Sequence, residues 1–113
     1  MVIFFERFFT KQCSQVFGPT YDDKFVADAI QNTNTNYGGY TYEGSRVLFV
    51  NGEIDPWHSL GFYTEKPNAF SEVLFIKGTA HCADMYPSSH FDPIQLEEAR
   101  HTIESFLKLW LSQ

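Results

Sequence analysis

Two short apolar runs constrain the fold of this chain more than any other feature of its sequence. The first spans residues 47–50 (VLFV) and the second spans residues 73–76 (VLFI), and each is followed within two residues by a glycine. Continuous apolar runs of this length are typical of strands that are buried on both faces of a parallel sheet. The ~20 residues between them are enough for the crossover connection that parallel pairing requires. We therefore expect two neighbouring, buried parallel strands.

The residues before these runs have helical patterns. Residues 2–17 carry many aromatic and apolar side chains and are followed by a Gly-Pro pair, which ends helices. Asp22 or Asp23 can cap the start of a second, short helix that ends near Ile30. The polar, glycine-bearing residues 31–44 are expected to form a loop.

The last part of the chain predicts a long helix. Asp92 suits its N-cap, Pro93 its first helical position and Gln95 the reciprocal position of a capping box. One apolar face follows at helical spacing, formed by Leu96, Ala99, Ile103, Phe106, Leu107 and Trp110.

The order strand, loop, strand, loop, helix is the order found in the closing portion of a parallel α/β sheet. The predicted fold class is therefore α/β. At 113 residues the chain is one domain at most. We expect residues 1–113 to form a single partial domain. Residues 1–44 would be a helix-and-loop lead-in, and residues 45–113 would hold the strands, the loops after them and the long C-terminal helix.

The formal net charge of −6 disfavours nucleic acids and anionic membranes as partners. No apolar run approaches the ~18 residues of a membrane-spanning helix. The apolar N-terminus is interrupted by the charged pair Glu6-Arg7 and lacks a basic leading region, so we do not expect a signal peptide there.

Asp55 follows the first predicted strand within residues 51–58 (NGEIDPWH). A carboxylate at the carboxyl end of a strand lies where open α/β sheets place their binding and catalytic sites. Pro56 stiffens the chain directly after it, and Trp57 can shield it from water. Taken alone, the pattern is equally compatible with an ordinary Asp-Pro turn at the surface.

His81 follows the second predicted strand within residues 78–84 (GTAHCAD), whose small side chains leave its ring room to turn towards an acid. Taken alone, such a histidine is more often structural. In α/β-hydrolases, however, the catalytic triad runs along the chain as Ser, Asp and His, with the acid and the base on loops after late strands. Asp55 and His81 match the last two members in order and in strand context.

The first member of the triad is not found. No serine has glycine both two residues before it and two residues after it, and the nearest approach, residues 57–61 (WHSLG), lacks the leading glycine. The sequence therefore predicts the acid and the base of a serine hydrolase whose nucleophile lies elsewhere.

Metal and thiol chemistry are not expected. Neither cysteine belongs to a C-x-x-C motif, and we do not expect Cys82 to act as a nucleophile with His81, because neighbours along a strand or loop tend to point apart. Cys13 and Cys82 can pair with each other, pair with cysteines of another segment, or stay free. A tight ligand motif such as H-E-x-x-H is missing among the candidate metal ligands, which are Asp55, His58, His81, Asp84, His90 and Asp92. We expect no cofactor.

These motifs and their surroundings resemble the lysosomal Pro-X carboxypeptidase family, and within it the thymus-specific serine protease-like members. The resemblance covers nearly the whole chain, and its most specific parts are the NGxxDPW and His-Cys-x-Asp elements. The matching stretches are residues 12–18 (QCSQVFG), 36–39 (NYGG), 47–58 (VLFVNGEIDPWH) and 81–85 (HCADM), together with Asp92, Ala99-Arg100 and residues 109–111 (LWL).

The resemblance implies the C-terminal portion of an α/β-hydrolase core that a helical insertion domain interrupts in the full enzyme. It implies a lysosomal, endosomal or secreted serine exopeptidase that prefers proline next to the cleaved peptide bond. By the same resemblance, Asp55 matches the triad acid, His81 matches the triad base, and Trp57 lines or flanks the substrate pocket. The serine motif and the oxyanion-hole residues of the family precede everything in this chain, so the upstream half of the same domain is an expected partner.

Three functions are compatible with this sequence. The first is the C-terminal segment of a serine peptidase acting on peptides, either as a carboxypeptidase or as a dipeptidyl-peptidase; the chain alone would be inactive because it lacks the nucleophile. The second is a truncated, inactive paralogue that acts as a binding or structural protein. The third is a non-peptidase esterase with the same fold.

Overall fold

A computed structural model gives the structure of the chain and describes the backbone of residues 2–112 and the side chains of residues 7–112. Phe4 and Phe5, two of the apolar residues of the predicted first helix, lie outside the described side chains. The chain divides into two compact units, Met1–Tyr42 and Glu43–Gln113. The boundary lies close to the predicted change from the lead-in to the strand-containing part. That both units belong to one partial domain stays a prediction.

The first unit contains two helices. Helix α1 spans Val2–Phe17 and ends at Gly18, which takes up a left-handed backbone conformation (φ +105°) as helix-ending glycines commonly do. Helix α2 spans Asp23–Tyr37, and the carboxylate of Asp22 accepts the N–H of Phe25 at 2.8 Å. The predicted first helix and the predicted cap at Asp22 are thereby confirmed.

The predicted loop over residues 31–44 is wrong at its start, because α2 continues to Tyr37. The Asn and Thr residues that suggested a loop lower helix propensity only modestly, so they do not end a helix by themselves. The helix ends where Gly38 adopts a left-handed conformation (φ +91°) and donates its N–H to the Asn34 carbonyl at 2.9 Å.

The second unit is built on a parallel pair of strands. Strand β1 spans Val47–Gly52 and strand β2 spans Ser71–Ile76. Their register runs from Val47 opposite Ser71 to Gly52 opposite Ile76, so both strands end at the same level. The predicted pair of parallel strands is confirmed, and the fold is a partial α/β fold.

The strands are less buried than the apolar runs predict. Gly52, Ser71 and Ile76 are buried, whereas the residues between the strand ends are half-buried. In a two-stranded sheet both strands are edges, so their side chains reach solvent at the sides of the sheet. A central strand would have a neighbour on each side.

Helix α3 spans Ile94–Leu111 and packs against β2. Leu96 and Ala99 form the buried core together with Ile76, and the half-buried Val50 and Leu74 pack against this core. Further along the predicted apolar face, Ile103, Phe106 and Trp110 are half-buried, whereas Leu107 is exposed.

The predicted capping box at the start of this helix is wrong. The N-cap is Pro93, which provides no side-chain hydrogen bond. The carboxylate of Asp92 instead accepts the N–H of Ser89 at 3.0 Å and an N–H of Arg100 at 2.6 Å. In the bond to Arg100 both partners are charged, whereas a capping bond would join the carboxylate to a neutral backbone N–H, and this difference explains the use of Asp92. Among the described helices, none combines the length and the apolar character needed to cross a membrane.

The carboxyl end of β1 lies directly against the segment that leads to His81. A Cβ atom at Gly52 would lie 2.5 Å from the carbonyl oxygen of Ala80 and 2.6 Å from that of Thr79. Both atoms belong to the backbone and cannot move aside as a flexible side chain can. Only glycine allows this close approach.

We therefore expect Gly52→Ala to lower the free energy of unfolding by about 1–3 kcal/mol, the usual cost of adding a methyl group to a filled site. Urea unfolding of the chain measures this change. The matched control is Gly61→Ala, whose Cβ would meet the side-chain oxygen of Asn51 at 3.2 Å and so needs only a small side-chain shift. Equal losses of stability in the two variants would contradict the close-approach argument.

Candidate active site

The loops that follow the two strands are joined by backbone hydrogen bonds. The Glu53 N–H donates to the Ile76 carbonyl at 3.0 Å, and the Ile54 N–H donates to the Thr79 carbonyl at 2.9 Å. The Gly78 N–H donates to the carboxylate of Glu53 (Oε2, 2.9 Å). Because these bonds cross from one loop to the other, they fix both loops relative to each other immediately after the strands end.

Asp55 lies in the first loop with its carboxylate almost completely buried; the residue is 5% exposed. Its Oδ1 accepts the N–H of Trp57 at 3.0 Å and so caps the short 3₁₀ turn Pro56–Leu60. Its Oδ2 lies 2.6 Å from Nδ1 of His81. Pro56 suits the first position of this turn because it has no N–H to leave unsatisfied. Both carboxylate oxygens are thus engaged, and the direction of the carboxylate is fixed.

The environment of Asp55 favours its ionised form. The hydrogen bond with His81 is the largest cause and lowers the pKa of the Asp55 carboxyl below its ordinary value. Burial opposes this shift, because it disfavours the charged form. The N–H of Trp57 and the charges of His81 and His58 lower the pKa further. The carboxylate is therefore ionised at neutral pH.

An ionised carboxylate can only accept hydrogen bonds, so the proton between the two groups belongs to Nδ1 of His81. This leaves Nε2 of the neutral imidazole with a lone pair, which is the state that a general base needs. The side chain of His81 is 57% exposed, so its ring is open to a reactant while its partner is buried. The arrangement can take a proton at Nε2 and stabilise the resulting cation through Asp55.

Trp57 lies beside this pair. The edge of one ring points towards the face of the other, with 5.0 Å between the centroids of Trp57 and His81. Trp57 is 64% exposed, so it places an apolar surface next to the exposed histidine ring. The structure brings together all three site residues that the sequence predicts, Asp55, His81 and Trp57.

Arg100 was missed as a site residue by the sequence reasoning, yet it organises the segment after His81. From α3 its guanidinium donates to the carboxylate of Asp92 at 2.6 Å. It also donates to three backbone carbonyls, those of Asp84 (3.2 Å), Ala83 (3.2 Å) and Tyr86 (3.0 Å). The spacing of Arg100 in the sequence could have indicated this role, because a charged residue four positions after Leu96 lies on the predicted apolar face of the helix.

His58 was considered from the sequence only as a metal ligand. In the structure its Nδ1 lies 2.5 Å from the backbone carbonyl of Asp55. Asp55 is engaged with His81, and Asp92 is engaged with Arg100. Among the described residues there is no group of three or more His, Cys, Asp or Glu that could hold a metal ion. Cys13 is half-buried, Cys82 is exposed, and both are free thiols.

The profile of a peptidase family described as serine carboxypeptidase S28 matches residues 3–103. The chain belongs to the S28 family. The α/β-hydrolase fold is the fold of this family, in agreement with the partial α/β fold of this chain. No solved structure matches the chain.

Similar proteins carry the names of serine peptidases. The human thymus-specific serine protease is 40% identical over 99 residues, which are 88% of this chain and 19% of that protein. The mouse thymus-specific serine protease is 39% identical over the same lengths and shares. The bovine lysosomal Pro-X carboxypeptidase is 29% identical over 79 residues, which are 69% of this chain and 16% of that protein. The chain thus spans about one fifth of the length of the two thymus-specific serine proteases.

The lowered pKa of Asp55 predicts how stability depends on pH. Because its folded-state pKa lies below the ordinary value of 3.8, the ionised carboxylate stabilises the fold above that pH. This contribution is lost as the pH falls through the folded-state pKa. We expect Asp55→Asn to lower the free energy of unfolding at pH 7 and the difference from the unmodified chain to shrink below pH 3.8.

Urea unfolding at several pH values from neutral to strongly acidic tests this expectation. The control is Glu104→Gln, which removes an exposed partner of Lys108 and should change the pH profile less, because solvent screens exposed pairs. A pH profile of Asp55→Asn that runs parallel to that of the unmodified chain would contradict the assignment of the stabilising charge to Asp55.

The contacts of Arg100 predict that lysine cannot replace it. Arg100→Lys keeps the charge but loses the planar fork that reaches several carbonyls at once. We expect a loss of about 1–3 kcal/mol in the free energy of unfolding, together with faster hydrogen exchange in residues 83–92. Lys108→Arg, a charge-conserving change in an exposed pair on the same helix, should leave both measurements unchanged. If Arg100→Lys behaved like this control, the guanidinium contacts would not hold the segment.

Proposed function

We propose that this chain supplies the acid and the base of a serine-type peptidase, with Asp55 as the acid and His81 as the base. The observation that carries the proposal is the 2.6 Å contact between Oδ2 of Asp55 and Nδ1 of His81. A buried, ionised acceptor and an exposed imidazole are the arrangement that base catalysis by histidine requires. Membership of the S28 family supports the same reaction class.

In the proposed reaction, Nε2 of His81 takes the proton of a serine hydroxyl as its oxygen attacks the peptide carbonyl. The histidine becomes a cation whose charge the carboxylate of Asp55 offsets. His81 then gives this proton to the leaving amine as the peptide bond breaks, which leaves an acyl-enzyme. A water molecule attacks the ester, again with His81 as the base, and the serine is released.

The proposed substrates are peptides cleaved near one end, with proline beside the scissile bond. The name of the lysosomal Pro-X carboxypeptidase supports this preference. The exposed ring of Trp57 next to His81 supports it as well, because an aromatic face suits the apolar ring of a proline. By the same relationship, we propose a lysosomal, endosomal or secreted location for the protein.

The serine would come from a part of the longer protein that precedes this segment in the relatives. The chain spans about one fifth of their length and contains no G-x-S-x-G motif. The upstream half of the same domain is therefore the proposed partner of Asp55 and His81, and the isolated chain would form no acyl-enzyme.

In the longer protein, we expect Asp55→Asn and His81→Ala each to lower kcat for a proline-containing peptide by roughly 10⁴-fold, as disruption of a catalytic triad does. Hydrolysis assays with purified variants measure this loss, and circular dichroism checks that the fold is kept. The control is Ser59→Ala, which removes an exposed hydroxyl from the same loop without touching the pair. Full activity of Asp55→Asn or of His81→Ala would contradict the assignment of that residue to the catalytic pair.

A fluorophosphonate probe separates the peptidase from its main alternative. It should label the longer protein and leave the isolated 113-residue chain unlabelled. Labelling of the isolated chain would show a nucleophile within it and refute the proposed division of the triad. A longer protein that is not labelled would favour an inactive binding protein, and cleavage of esters but not of peptides would favour an esterase.

A further inference from the structure

His58 combines two sets of contacts that the proposed chemistry does not use. Its Nδ1 lies 2.5 Å from the carbonyl oxygen of Asp55, and because a carbonyl can only accept, the ring nitrogen carries the hydrogen and donates it. The backbone N–H of His58 donates to the same oxygen at 3.1 Å. The carbonyl of Asp55 therefore accepts two hydrogen bonds from one residue.

The ring of His58 is itself held by aromatic neighbours. It meets Tyr63 edge to face at a centroid distance of 4.8 Å and Phe75 at 5.2 Å, and the rings of Tyr63 and Phe75 lie 5.5 Å apart. Phe75 belongs to β2, the strand that leads into the loop of His81. The ring of His58 thus connects the backbone of the acid to the strand that carries the base.

The direction of the carbonyl matters because it sets the backbone angle ψ of Asp55, which is 114°. Pro56 follows, and a residue before proline is confined to extended conformations but remains free to vary within them. Fixing the carbonyl removes this remaining freedom. Because the Cβ atom is bonded to the same Cα, it also fixes the direction in which the carboxylate leaves the backbone.

We propose that His58 is a positioning residue that aims the Asp55 carboxylate at Nδ1 of His81 through its hydrogen bond to the Asp55 carbonyl and its packing on β2. Its value for catalysis rests on the proposed peptidase function, whereas its effect on the geometry of the pair does not. A small change in the direction of the Asp55 carboxylate would turn the His81 imidazole away from the reacting atoms. A misplacement of about 1 Å can lower the rate by up to ~100-fold.

Two variants separate the hydrogen bond from the packing. In His58→Asn the side-chain amide nitrogen stands at the same number of bonds from Cβ as Nδ1, so the donor is kept and the ring is lost. In His58→Phe the ring is kept and the donor is lost. Both variants are neutral, so the influence of the His58 charge on Asp55 is absent from both and cannot explain a difference between them.

The test is NMR on the 113-residue chain, with the carboxyl carbon of Asp55 followed against pH and the proton on Nδ1 of His81 observed directly. We expect His58→Phe to raise the pKa of Asp55 towards its ordinary value and to shift the Nδ1 proton signal. We expect His58→Asn, which lacks the same charge but keeps the donor, to have a lower Asp55 pKa than His58→Phe and to return the Nδ1 proton signal to that of the unmodified chain. Ser59→Ala, which removes a hydrogen bond to the Pro56 carbonyl in the same turn, should change neither.

Equal Asp55 pKa values in His58→Phe and His58→Asn, or a shift in Ser59→Ala as large as that in His58→Phe, would overturn the proposal. If His58→Phe does not fold, His58→Asn decides alone through the Nδ1 proton signal of His81, because a shifted signal in that folded variant contradicts a role for the donor. In the longer protein, His58→Phe should lower kcat up to ~100-fold with little change in KM. Failure of the peptidase proposal would leave the NMR result standing, so the two are told apart.

Discussion

The arrangement of this protein depends on one constraint, the parallel register that ends both strands at the same level. Gly52 stands opposite Ile76, so the two loops that follow leave the sheet side by side. Gly52 has no Cβ, which allows the segment at Thr79 and Ala80 to lie against the end of β1. The acid and the base meet because of this close approach. A larger residue at position 52 would separate the loops before either one reached its functional side chain.

The site couples a buried charge to an exposed ring. Asp55 gives up contact with water and is compensated by its hydrogen bonds with His81 and with the N–H of Trp57. His81 is exposed, and Arg100 holds the backbone of the segment that follows it. The division of labour suits a proton-transfer site. The carboxylate is kept rigid by its surroundings, and the imidazole is left open to solvent.

Patterns that extend over several residues predicted the fold well, whereas single residues with several possible partners were predicted less well. The two apolar runs predicted the strands. Asp22 or Asp23 was predicted as a cap, and Asp22 is the cap, because an N-cap side chain needs only a backbone N–H of the helix that it begins. Asp92 was predicted as a cap by the same reasoning, but Arg100 lies within reach in the folded chain and binds it more strongly. The end of α2 was misjudged because Gly38, rather than the polar residues before it, stops the helix.

The sequence by itself determined the order of the elements, the approximate positions of the two strands, and Asp55, His81 and Trp57 as candidate site residues, because hydrophobic periodicity and motif spacing are properties of neighbouring residues. Only the tertiary structure decided that the carboxylate is buried and bonded to the imidazole. Only the structure assigned Arg100 to the segment after the histidine and His58 to the carbonyl of Asp55. These contacts depend on the strand register and on the path of the loops, which bring distant residues within hydrogen-bonding distance. Neither property can be read from the pattern of neighbouring residues in the sequence.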